Sequence, residues 1–393
     1  VSPEDPVWDG YLFLGWFTDE AGTNKYNFGS PVTASLTLYA KWTLSPWQLV
    51  GGLTADAAVS ASQLAFDSAN RAYILYDTFD DETFTFTSHL KRFEGGVWQD
   101  VALPPNFEEI NTPPVVAFDS QDRLFIAYNG YDSGAMVFQY AGGAWETLPS
   151  LNDTNQSGFP VSMAFDSDGR LYLAYHYQNA SNDMEVSVKM YDGSGWTALS
   201  GGEAFPAGNE MPYIALDQND VPYLLYQYYD STYRFKLAKY VNGGWQHVSH
   251  PDLANAAQAK MARGRDGMLY LVYRVGGELK VSRMWNSVWE SMGNTAIAVE
   301  PNNWTRFDIA FGDYGAVYIA YRDAESGYRA TVARYQGEWS ILGQAGFSQG
   351  VLSDVFVSVD RSGDVYVIYF DDSSSEWFLL GDKMFVKMYD PAD

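Results

Sequence analysis

The chain has 393 residues, no cysteine and a formal net charge of −25. The lack of cysteine excludes disulfides, thiolate metal sites and cysteine nucleophiles, and the acidic balance argues against nucleic acid or an anionic membrane surface as a partner. Aromatic residues make up 17% of the chain, which favours strands over helices. No apolar run is long enough for membrane insertion. We expect a monomer, and the start at Val1 rather than at a methionine is expected of a processed form or an excised piece.

Residues 1–43 read as a short module of two strands, Tyr11–Trp16 and Leu36–Trp42, separated by a stretch rich in Gly, Asn and Pro. The line GYLFLGWFTDEAGTNKYNFGSPVTASLTLYAKW resembles the Listeria–Bacteroides repeat, the internalin B-type repeat of bacterial surface proteins. The shared motifs are GY-x-F-x-GW, D-x-x-G and PVT-x-x-LTLYAKW. The resemblance implies a partial β-grasp-like unit without the family's first strands, which acts as a spacer or interaction unit and has no catalytic residues. We therefore divide the chain into this module, 1–43, and a second domain, 44–393.

From residue 44 onward, one pattern returns seven times. Its most regular part is a strand with the motif Tyr/Phe-x-x-Tyr, and the seven pairs are Tyr73/Tyr76, Phe125/Tyr128, Tyr172/Tyr175, Tyr223/Tyr226, Tyr270/Tyr273, Tyr318/Tyr321 and Tyr366/Tyr369. The strand before it has a small residue at one position, namely Ala65, Ala117, Ala164, Ala215, Ala262, Ala310 and Ser358. Each copy also has one tryptophan in its outer strand: Trp47, Trp98, Trp145, Trp196, Trp245, Trp289 and Trp339. Four short strands in a repeat of this length are typical of a propeller blade, so the sequence predicts an all-β, seven-bladed β-propeller.

The two ends of the domain complement each other. The last repeat ends near Asp390 without a tryptophan strand, whereas residues 46–50 form a spare one before the first repeat. We therefore expect this N-terminal strand to close the last blade, because closure removes exposed sheet edges.

Residues 329–370, RATVARYQGEWSILGQAGFSQG…VSVDRSGDVYVIYFDD, are similar to a blade repeat of bacterial secreted and surface proteins with the pattern KATVMKYNGSSWVxVGxAGFSxG…LAIDSSGTPYVAYxD. The similarity weakens at residues 262–266, where Arg263 and Gly264 replace the usual Phe-Asp. That family has no assigned chemistry, so no residue role is implied. The resemblance implies a secreted or cell-surface bacterial protein. The lack of cysteine does not identify a compartment, but it is compatible with a secreted protein of a Gram-positive bacterium.

We expect a ligand on the face formed by the loops after the second and fourth strands of each blade, because these loops vary while the strands repeat. The repeated tryptophans and tyrosines are assigned to the core instead. The candidate ligand-binding residues lie outside that repeated register. They are Tyr131, His176, Tyr177, Tyr228, Tyr229, Arg274, Trp304, Arg306, Arg322 and Trp377.

Two acidic loops on neighbouring blades are candidates for calcium, and no other cofactor is expected. Their carboxylates are Asp77, Asp80, Asp81, Asp371 and Asp372. The Asp-rich segments between the first and second strands, such as 166–169, are assigned to hairpin turns. His247 and His250 lack a third zinc ligand nearby, and the chain has no nucleophile, phosphate or dinucleotide motif. No catalytic residue is therefore assigned.

The sequence favours a non-enzymatic binding or adhesion module with a glycan or protein ligand on the loop face. One alternative is a hydrolase or lyase acting on polysaccharide, in which Asp308, Asp354 and the three candidate arginines converge at the channel mouth. The same charges also suit salt bridges between blades. A structural spacer without a ligand is the third hypothesis.

Overall fold

The computed structural model describes Pro6, Trp8 and residues 10–107, 113–130, 134–151, 161–181, 183–199, 205–208, 210–229, 231–295, 297–299, 306–372 and 382–391. Within these residues, helix is limited to two 3₁₀ turns, Leu253–Asn255 and Asp313–Gly315, and everything else that is regular is strand. No helix there is long and apolar enough to cross a bilayer. The all-β prediction is confirmed.

The N-terminal module is a two-stranded antiparallel sheet of β1 (Tyr11–Phe17) and β2 (Tyr39–Leu44). Two strands are too few to bury two faces, and the aromatic side chains pack on one another instead. The rings of Phe13 and Trp42 lie 5.2 Å apart. The segment after β1 is ordered by Asp19, whose carboxylate accepts hydrogen bonds from the backbone N–H groups of Thr23 and Asn24 at 2.9 and 2.7 Å.

The remaining strands are short and antiparallel to their neighbours. In chain order they are β3 (Trp47–Ala61), β4 (Ala65–Phe66), β5 (Ala72–Asp80), β6 (Thr85–Glu94), β7 (Val97–Val101), β8 (Val115–Phe118), β9 (Leu124–Gly130), β10 (Gly134–Ala141), β11 (Ala144–Thr147), β12 (Val161–Phe165), β13 (Leu171–Gln178), β14 (Met184–Tyr191), β15 (Trp196–Ala198), β16 (Phe205–Pro206), β17 (Tyr213–Leu216), β18 (Pro222–Tyr229), β19 (Tyr233–Val241), β20 (Gly244–Val248), β21 (Gln258–Arg263), β22 (Leu269–Val275), β23 (Glu278–Trp285), β24 (Val288–Ser291), β25 (Phe307–Phe311), β26 (Val317–Asp323), β27 (Arg329–Tyr335), β28 (Trp339–Ile341), β29 (Val351–Val359), β30 (Val365–Asp372) and β31 (Asp382–Tyr389).

Five separate sheets are each built from four strands that are consecutive in the sequence, with the first strand inside and the fourth outside. They are β8–β11, β12–β15 with β16 added, β17–β20, β21–β24 and β25–β28. The other strands form one eight-stranded sheet in the order β29-β30-β31-β3-β5-β6-β7, with β4 beside β5. The described residues therefore form a β-propeller with five separate blades rather than the predicted seven.

The long strand β3 explains this difference. Its first residues pair with β31, where Trp47 lies opposite Tyr389, and its last residues pair with β5, where Ala61 lies opposite Tyr76. Between these pairings the register shifts, and Gly51 and Gly52 adopt positive φ angles of 54° and 68° that side chains disfavour. The predicted pairing of the N-terminal strand with the last repeat is thus present, but the same strand also continues into the first repeat.

The repeated small and aromatic residues are cross-strand partners. The small residue of each inner strand lies opposite the first aromatic residue of the second strand, in the pairs Ala65–Tyr73, Ala117–Phe125, Ala164–Tyr172, Ala215–Tyr223, Ala262–Tyr270, Ala310–Tyr318 and Ser358–Tyr366. These aromatic residues are buried, each with at most 8% of its surface exposed. The assignment of this register to the core is confirmed.

The repeated tryptophans join successive repeats. The indole N–H of Trp98 donates a hydrogen bond to the Val50 carbonyl at 2.8 Å, and that of Trp339 donates to the Met292 carbonyl at 2.9 Å. Three further repeats have the equivalent bond, from Trp145 to Ala102, from Trp196 to Pro149 and from Trp245 to Leu199. The indole N–H groups of Trp47 and Trp289 are buried without a hydrogen-bond acceptor among the described residues. An indole has a single hydrogen-bond donor. Because the bonded indoles donate it to the backbone of the preceding repeat, their side chains are structural, as predicted.

The Asp-rich turns between first and second strands use their carboxylates for turn formation. Asp67 Oδ1 accepts the backbone N–H groups of Ala69 and Arg71 at 3.0 and 2.8 Å, and Asp119, Asp166, Asp217 and Asp360 do the same in their repeats. Two repeats have a glycine at this position, Gly264 and Gly312. A Cβ at Gly264 would lie 2.6 Å from the Tyr270 ring. Asp266 replaces the missing carboxylate and accepts the Tyr270 hydroxyl at 2.7 Å.

Candidate functional site

Neighbouring inner strands contact one another around a central channel. One position of each repeat, two residues before the small residue of the inner strand, differs from repeat to repeat. In the connection before β4 and in β8, β12, β17, β21, β25 and β29, it is occupied by Gln63, Val115, Ser162, Tyr213, Lys260, Asp308 and Phe356. The backbone around this position repeats while its side chain changes from blade to blade, which is the division expected between scaffold and site.

Asp308 is the most connected member of this ring. Its Oδ1 lies 3.0 Å from the ammonium of Lys260, which comes from the neighbouring blade, and its Oδ2 accepts the Val357 N–H at 3.0 Å. The side-chain amide of Gln63 donates to the same Oδ2 from a repeat 245 residues away. Asp308 is 4% exposed, whereas 24% of the Lys260 side chain is exposed. The ion pair thus joins two blades and also reaches the channel.

Glu210 adds a second acid close to this pair. Its backbone N–H donates to Gln227 Oε1 at 3.2 Å, and its own Oε1 is buried and accepts no hydrogen bond from the described residues. Burial raises the pKa of Glu210 to about 7, although Lys260, Arg306 and Arg274 oppose the shift. Near neutral pH this carboxyl group is therefore divided between its protonated and ionised forms.

Arg306 directly precedes the inner strand β25, and Asp354 is the fourth residue of the inner strand β29. Asp354 Oδ1 accepts the N–H of the following residue at 2.8 Å, and burial raises the pKa of Asp354 against the effect of Arg306 and Lys260. Arg306 is exposed, and its Nε donates to the Ser353 carbonyl at 3.0 Å. Burial alone would lower the pKa of Lys260, but Asp308, Tyr213 and Asp354 raise it overall. We call Glu210, Tyr213, Lys260, Asp308 and Asp354 the channel-mouth cluster.

Two predicted arginines flank this cluster. Arg274 is 7% exposed, and its Nε donates to Gln258 Oε1 at 3.2 Å. Burial lowers the pKa of Arg274, and Glu210 acts in the opposite direction. The Arg322 guanidinium lies 4.6 Å from the centre of the Tyr328 ring, and its backbone N–H donates to the Arg306 carbonyl at 2.9 Å. Of the predicted charged residues, Arg306 and Asp308 act on the pKa of Asp354. Arg274 is linked to the cluster through Glu210, and Arg322 through its backbone bond to Arg306.

The predicted histidine and tyrosines differ in accessibility. His176 is 1% exposed, and burial lowers its pKa to about 4, so it is a neutral core residue rather than a ligand contact. The Tyr177 hydroxyl donates to Glu185 Oε2 at 2.6 Å, and the ammonium of Lys236 lies 4.1 Å from the Tyr228 ring. Tyr229 is 60% exposed and available to a ligand. Tyr131, Trp304 and Trp377 lie outside the described residues.

Exposed rings occur at the tips of two hairpins on this face. Tyr229 at the end of β18 packs on Tyr233 with ring centres 5.0 Å apart. On the β5–β6 hairpin, Phe79 packs on Phe86 at 4.9 Å and on Phe84 at 6.2 Å, and Phe84 is 73% exposed. Large exposed apolar groups that cluster are unusual unless they contact a ligand or partner. The sequence reading missed these phenylalanines, although they interrupt the repeated register.

Several carboxylates of the predicted calcium loops accept hydrogen bonds within the protein. Asp80 Oδ1 accepts the N–H groups of Glu82 and Thr83 at 2.9 and 3.0 Å, and these bonds lower its pKa. Asp77 accepts Ser60 Oγ at 3.1 Å, and Asp371 accepts the Gly350 N–H at 3.0 Å. Asp81 belongs to the turn after β5, and the side chain of Asp372 lies outside the description. Among the residues that the structure describes, no group of three or more His, Asp or Glu side chains could hold a metal ion.

Lys260, Glu210 and Tyr213 were missed by sequence reasoning. Lys260 and Tyr213 are visible in the sequence as polar residues at an inner-strand position where other repeats have Val115 or Ser162. An alignment of the repeats on their small residue therefore contains the signal for these two. Glu210 belongs to a connection of irregular length, and its position shows only in three dimensions.

Comparisons with known proteins give a family match for the N-terminal part of the chain. Residues 1–41 match the family model of the Listeria-Bacteroides repeat domain. No curated protein matches the chain.

Among solved structures, a mutant of AofleA from Arthrobotrys oligospora is 12% identical with a TM-score of 0.49, over 87% of this chain and 84% of that chain. A protein of unknown function from Dyadobacter fermentans is 11% identical with a TM-score of 0.48, over 85% and 94%. The Aleuria aurantia lectin, a six-bladed β-propeller with a fucose recognition mode, is 13% identical with a TM-score of 0.47, over 75% and 100%. These similarities are too weak to say anything about ligand or activity.

Proposed function

We propose that this chain is a non-enzymatic binding module that takes a saccharide at the channel mouth. The observation that supports this most directly is the channel-mouth cluster, which brings different polar groups from four successive inner strands to one place. Lys260 donates, Asp308 accepts, and Glu210 does either, depending on its proton. Sugar hydroxyl groups also donate and accept, so a mixed set of this kind suits them better than it suits a purely apolar ligand.

The exposed rings support the same reading. Tyr229 and Phe84 are 60% and 73% exposed at hairpin tips on the face where the inner strands begin. An aromatic ring offers a flat apolar surface for the C–H face of a sugar, while the charged groups at the channel bind its hydroxyls. Polar specificity groups beside aromatic surface are the usual content of a small-molecule site.

The repeat architecture belongs to this proposal as well. We propose that the eight-stranded sheet is two blades that share β3, which makes seven repeats around the channel. The seven matched small–aromatic pairs support this count, since two of them, Ala65–Tyr73 and Ser358–Tyr366, lie in that sheet. The match at residues 1–41 supports a bacterial cell-surface or secreted protein in which the N-terminal module, 1–43, is a spacer.

The experiment is a glycan-array screen of the whole chain, with calcium and again with chelator, followed by titration of any hit. Lys260→Met and Tyr229→Ala are the test variants. Lys91→Met is the matched lysine control, because Lys91 pairs with Asp100 at 2.5 Å on an outer hairpin. Trp285→Ala is the aromatic control, since Trp285 is 46% exposed at the end of β23, next to the outer strand. We expect saturable binding that only the test variants weaken, by at least about tenfold. Silence on the array, with binding to a protein surface instead, overturns the saccharide proposal.

A second function, hydrolysis of a glycosidic bond, is favoured by one specific observation. Glu210 has a pKa of about 7 and an oxygen without a hydrogen bond, while the Asp308 carboxylate is paired with Lys260. Two carboxyl groups in such different environments suit an acid and a base or nucleophile. In this case Glu210 protonates the leaving oxygen.

This second function predicts release of reducing ends from a polysaccharide panel, with a rate that falls as pH rises through about 7. Glu210→Gln abolishes that release but leaves binding in place. Binding by the wild-type chain without any release on the same panel favours the module over the enzyme.

A further inference from the structure

A cleft separate from the channel mouth lies between the N-terminal module and the propeller. Its volume is about 140 Å³. We call it the junction cleft, and the residues that carry its chemistry are Trp8, Tyr11 and Trp42 on one wall and Arg329, Gln349 and Lys387 on the other. Cavities for drug-sized ligands measure roughly 300–1,000 Å³, so this one suits a single small unit such as one sugar ring.

The wall formed by the N-terminal module is aromatic. Trp8 stacks on Tyr11 with ring centres 4.1 Å apart and an angle of 23° between the planes, and it meets Trp42 edge-on at 5.6 Å. Trp8 remains 53% exposed and Tyr11 39% exposed despite this packing. A stacked pair with so much free surface presents a platform to whatever enters the cleft.

The opposite wall supplies cations. Arg329, at the start of β27, is exposed, and none of the described carboxylates lies within ion-pair distance of its guanidinium. Lys387 is 4% exposed, and its ammonium lies 5.8 Å from the centre of the Tyr369 ring. Burial raises the pKa of nearby Asp371 to about 6, against the Gly350 N–H and both cations. Arg329 therefore supplies this wall with a positive charge that no described carboxylate pairs with directly, in a chain whose net charge is −25.

We propose that the junction cleft binds a carboxylated sugar, whose ring stacks on Trp8 and Tyr11 and whose carboxylate pairs with Arg329. A guanidinium forms two parallel hydrogen bonds with a carboxylate, which sets the orientation of the ring. Gln349 and Gln344, which also line the cleft, have amide groups that suit the sugar hydroxyls. The site does not depend on the channel mouth and uses none of its residues.

The probes are sodium D-galacturonate and D-glucuronate, with D-galactose, D-glucose and sodium acetate as comparisons. Binding to the whole chain is followed by tryptophan fluorescence and by ligand-observed NMR, because Trp8 and Trp42 line the cleft. We expect saturable binding of a uronate that is at least about tenfold tighter than that of the neutral sugar and of acetate. Acetate that binds as well as the uronate removes the role of the aromatic wall and overturns the proposal.

The variants separate this cleft from other sites. Arg329→Gln weakens uronate binding at least about tenfold and Arg329→Lys weakens it less, because lysine keeps the charge but loses the paired hydrogen bonds. Arg361→Gln removes the same charge from an exposed turn on the other side of β30 and leaves binding unchanged. Lys260→Met, at the channel mouth, also leaves it unchanged. Uronate binding that Lys260→Met abolishes and Arg329→Gln does not affect belongs to the channel mouth and contradicts this inference.

Discussion

Lys260 and Asp308 occupy the same inner-strand position in neighbouring blades, and their side chains meet with Nζ 3.0 Å from Oδ1. One repeated backbone position thus holds a cation in one blade and its counterion in the next. The pair joins the blades and also faces the channel, where Gln63 reaches it from the first repeat. The burial of the pair does not show whether it stabilises the fold or binds a ligand. Substitution of Lys260 and Asp308 distinguishes these two roles.

Lys260→Met should destabilise the chain more than the double variant Lys260→Met with Asp308→Asn. Removing the cation alone leaves the Asp308 carboxylate, 4% exposed, with only neutral donors. Because Lys260 is partly solvated, we expect a cost of about 2 kcal/mol rather than the larger values of fully buried pairs. Denaturant unfolding of the wild type and of both variants measures this cost. Equal stability of the single and double variants would show that the Asp308 carboxylate left without its cation carries no cost.

His176 should make the protein less stable in mild acid. Burial lowers its pKa to about 4, so the folded state keeps the ring neutral while the unfolded chain takes up a proton below its ordinary value. Stability is therefore lost as pH falls, by about 2 kcal/mol between pH 7 and pH 5. The control is His176→Gln, since Gln227 occupies the equivalent position in the next repeat. Its unfolding free energy, compared with that of the wild type across this range, should fall less with acid.

Glu210 should make the protein less stable as pH rises, which is the opposite of the effect of His176. Its pKa is raised to about 7, so the folded state holds a proton that the unfolded chain releases at lower pH. The stability of the wild type is fully present below the ordinary carboxyl pKa and is lost as pH rises through about 7. Glu210→Gln removes this loss and should gain about 2 kcal/mol on the wild type between pH 5 and pH 8. Parallel pH profiles for the two proteins would contradict the raised pKa.

Trp245→Phe should cost about 1–2 kcal/mol, because it leaves the Leu199 carbonyl without the indole N–H donor. The ring itself is largely replaced, and its edge-on contact with Phe205 at 5.4 Å is retained in kind. Trp285→Phe is the control, since Trp285 is 46% exposed at the end of β23. Thermal unfolding of both variants tests whether indole bonds between repeats stabilise the propeller. Similar changes in unfolding temperature for the two variants would show that the indole bonds between repeats do not stabilise the propeller.

Gly343→Ala should weaken the closure of the propeller more than Gly337→Ala. Both glycines have positive φ angles, 73° and 88°, so both substitutions incur similar backbone strain. Only at Gly343 would the new Cβ lie 3.0 Å from Tyr389 and 3.1 Å from Trp47, whereas it meets nothing within 4 Å at Gly337. We expect an additional cost of about 1 kcal/mol from this crowding. Proteolysis that begins near residue 389 in the first variant alone would locate the opening.

The repeats were predictable because their signals are local. A small residue such as Ala215 and its partner Tyr223 recur at fixed spacing, since every blade has to solve the same packing problem with the same backbone. The tryptophans were predictable for the same reason. The complementary ends of the domain also predicted that Trp47 pairs with the last strand, because an unpaired edge is unfavourable.

The number of blades and the residues of the candidate site were harder to predict from the sequence. That β3 runs on from one repeat into the next depends on Gly51 and Gly52, and nothing in the repeat spacing indicates that these residues allow a continuous strand. His176 has the composition of a binding residue but lies in the core, because burial is a property of the assembled blade. The prediction of Tyr229 as an accessible ring agrees with its exposure, because it follows the last buried residue of its strand.

The sequence by itself determined the all-β class, the repeated register of small and aromatic residues, and the roles of the tryptophans and turn aspartates. Each of these depends on residues close together in the chain or repeated at a constant period. Only the tertiary structure decided that Gln63 meets Asp308, that Glu210 lies close enough to Lys260 and Arg274 to feel their charge, and that Trp8 faces Arg329 across a cleft. These contacts join residues from different repeats or modules. Their pKa values and accessibility depend on burial and on neighbouring charges, which arise only when the blades close into a ring.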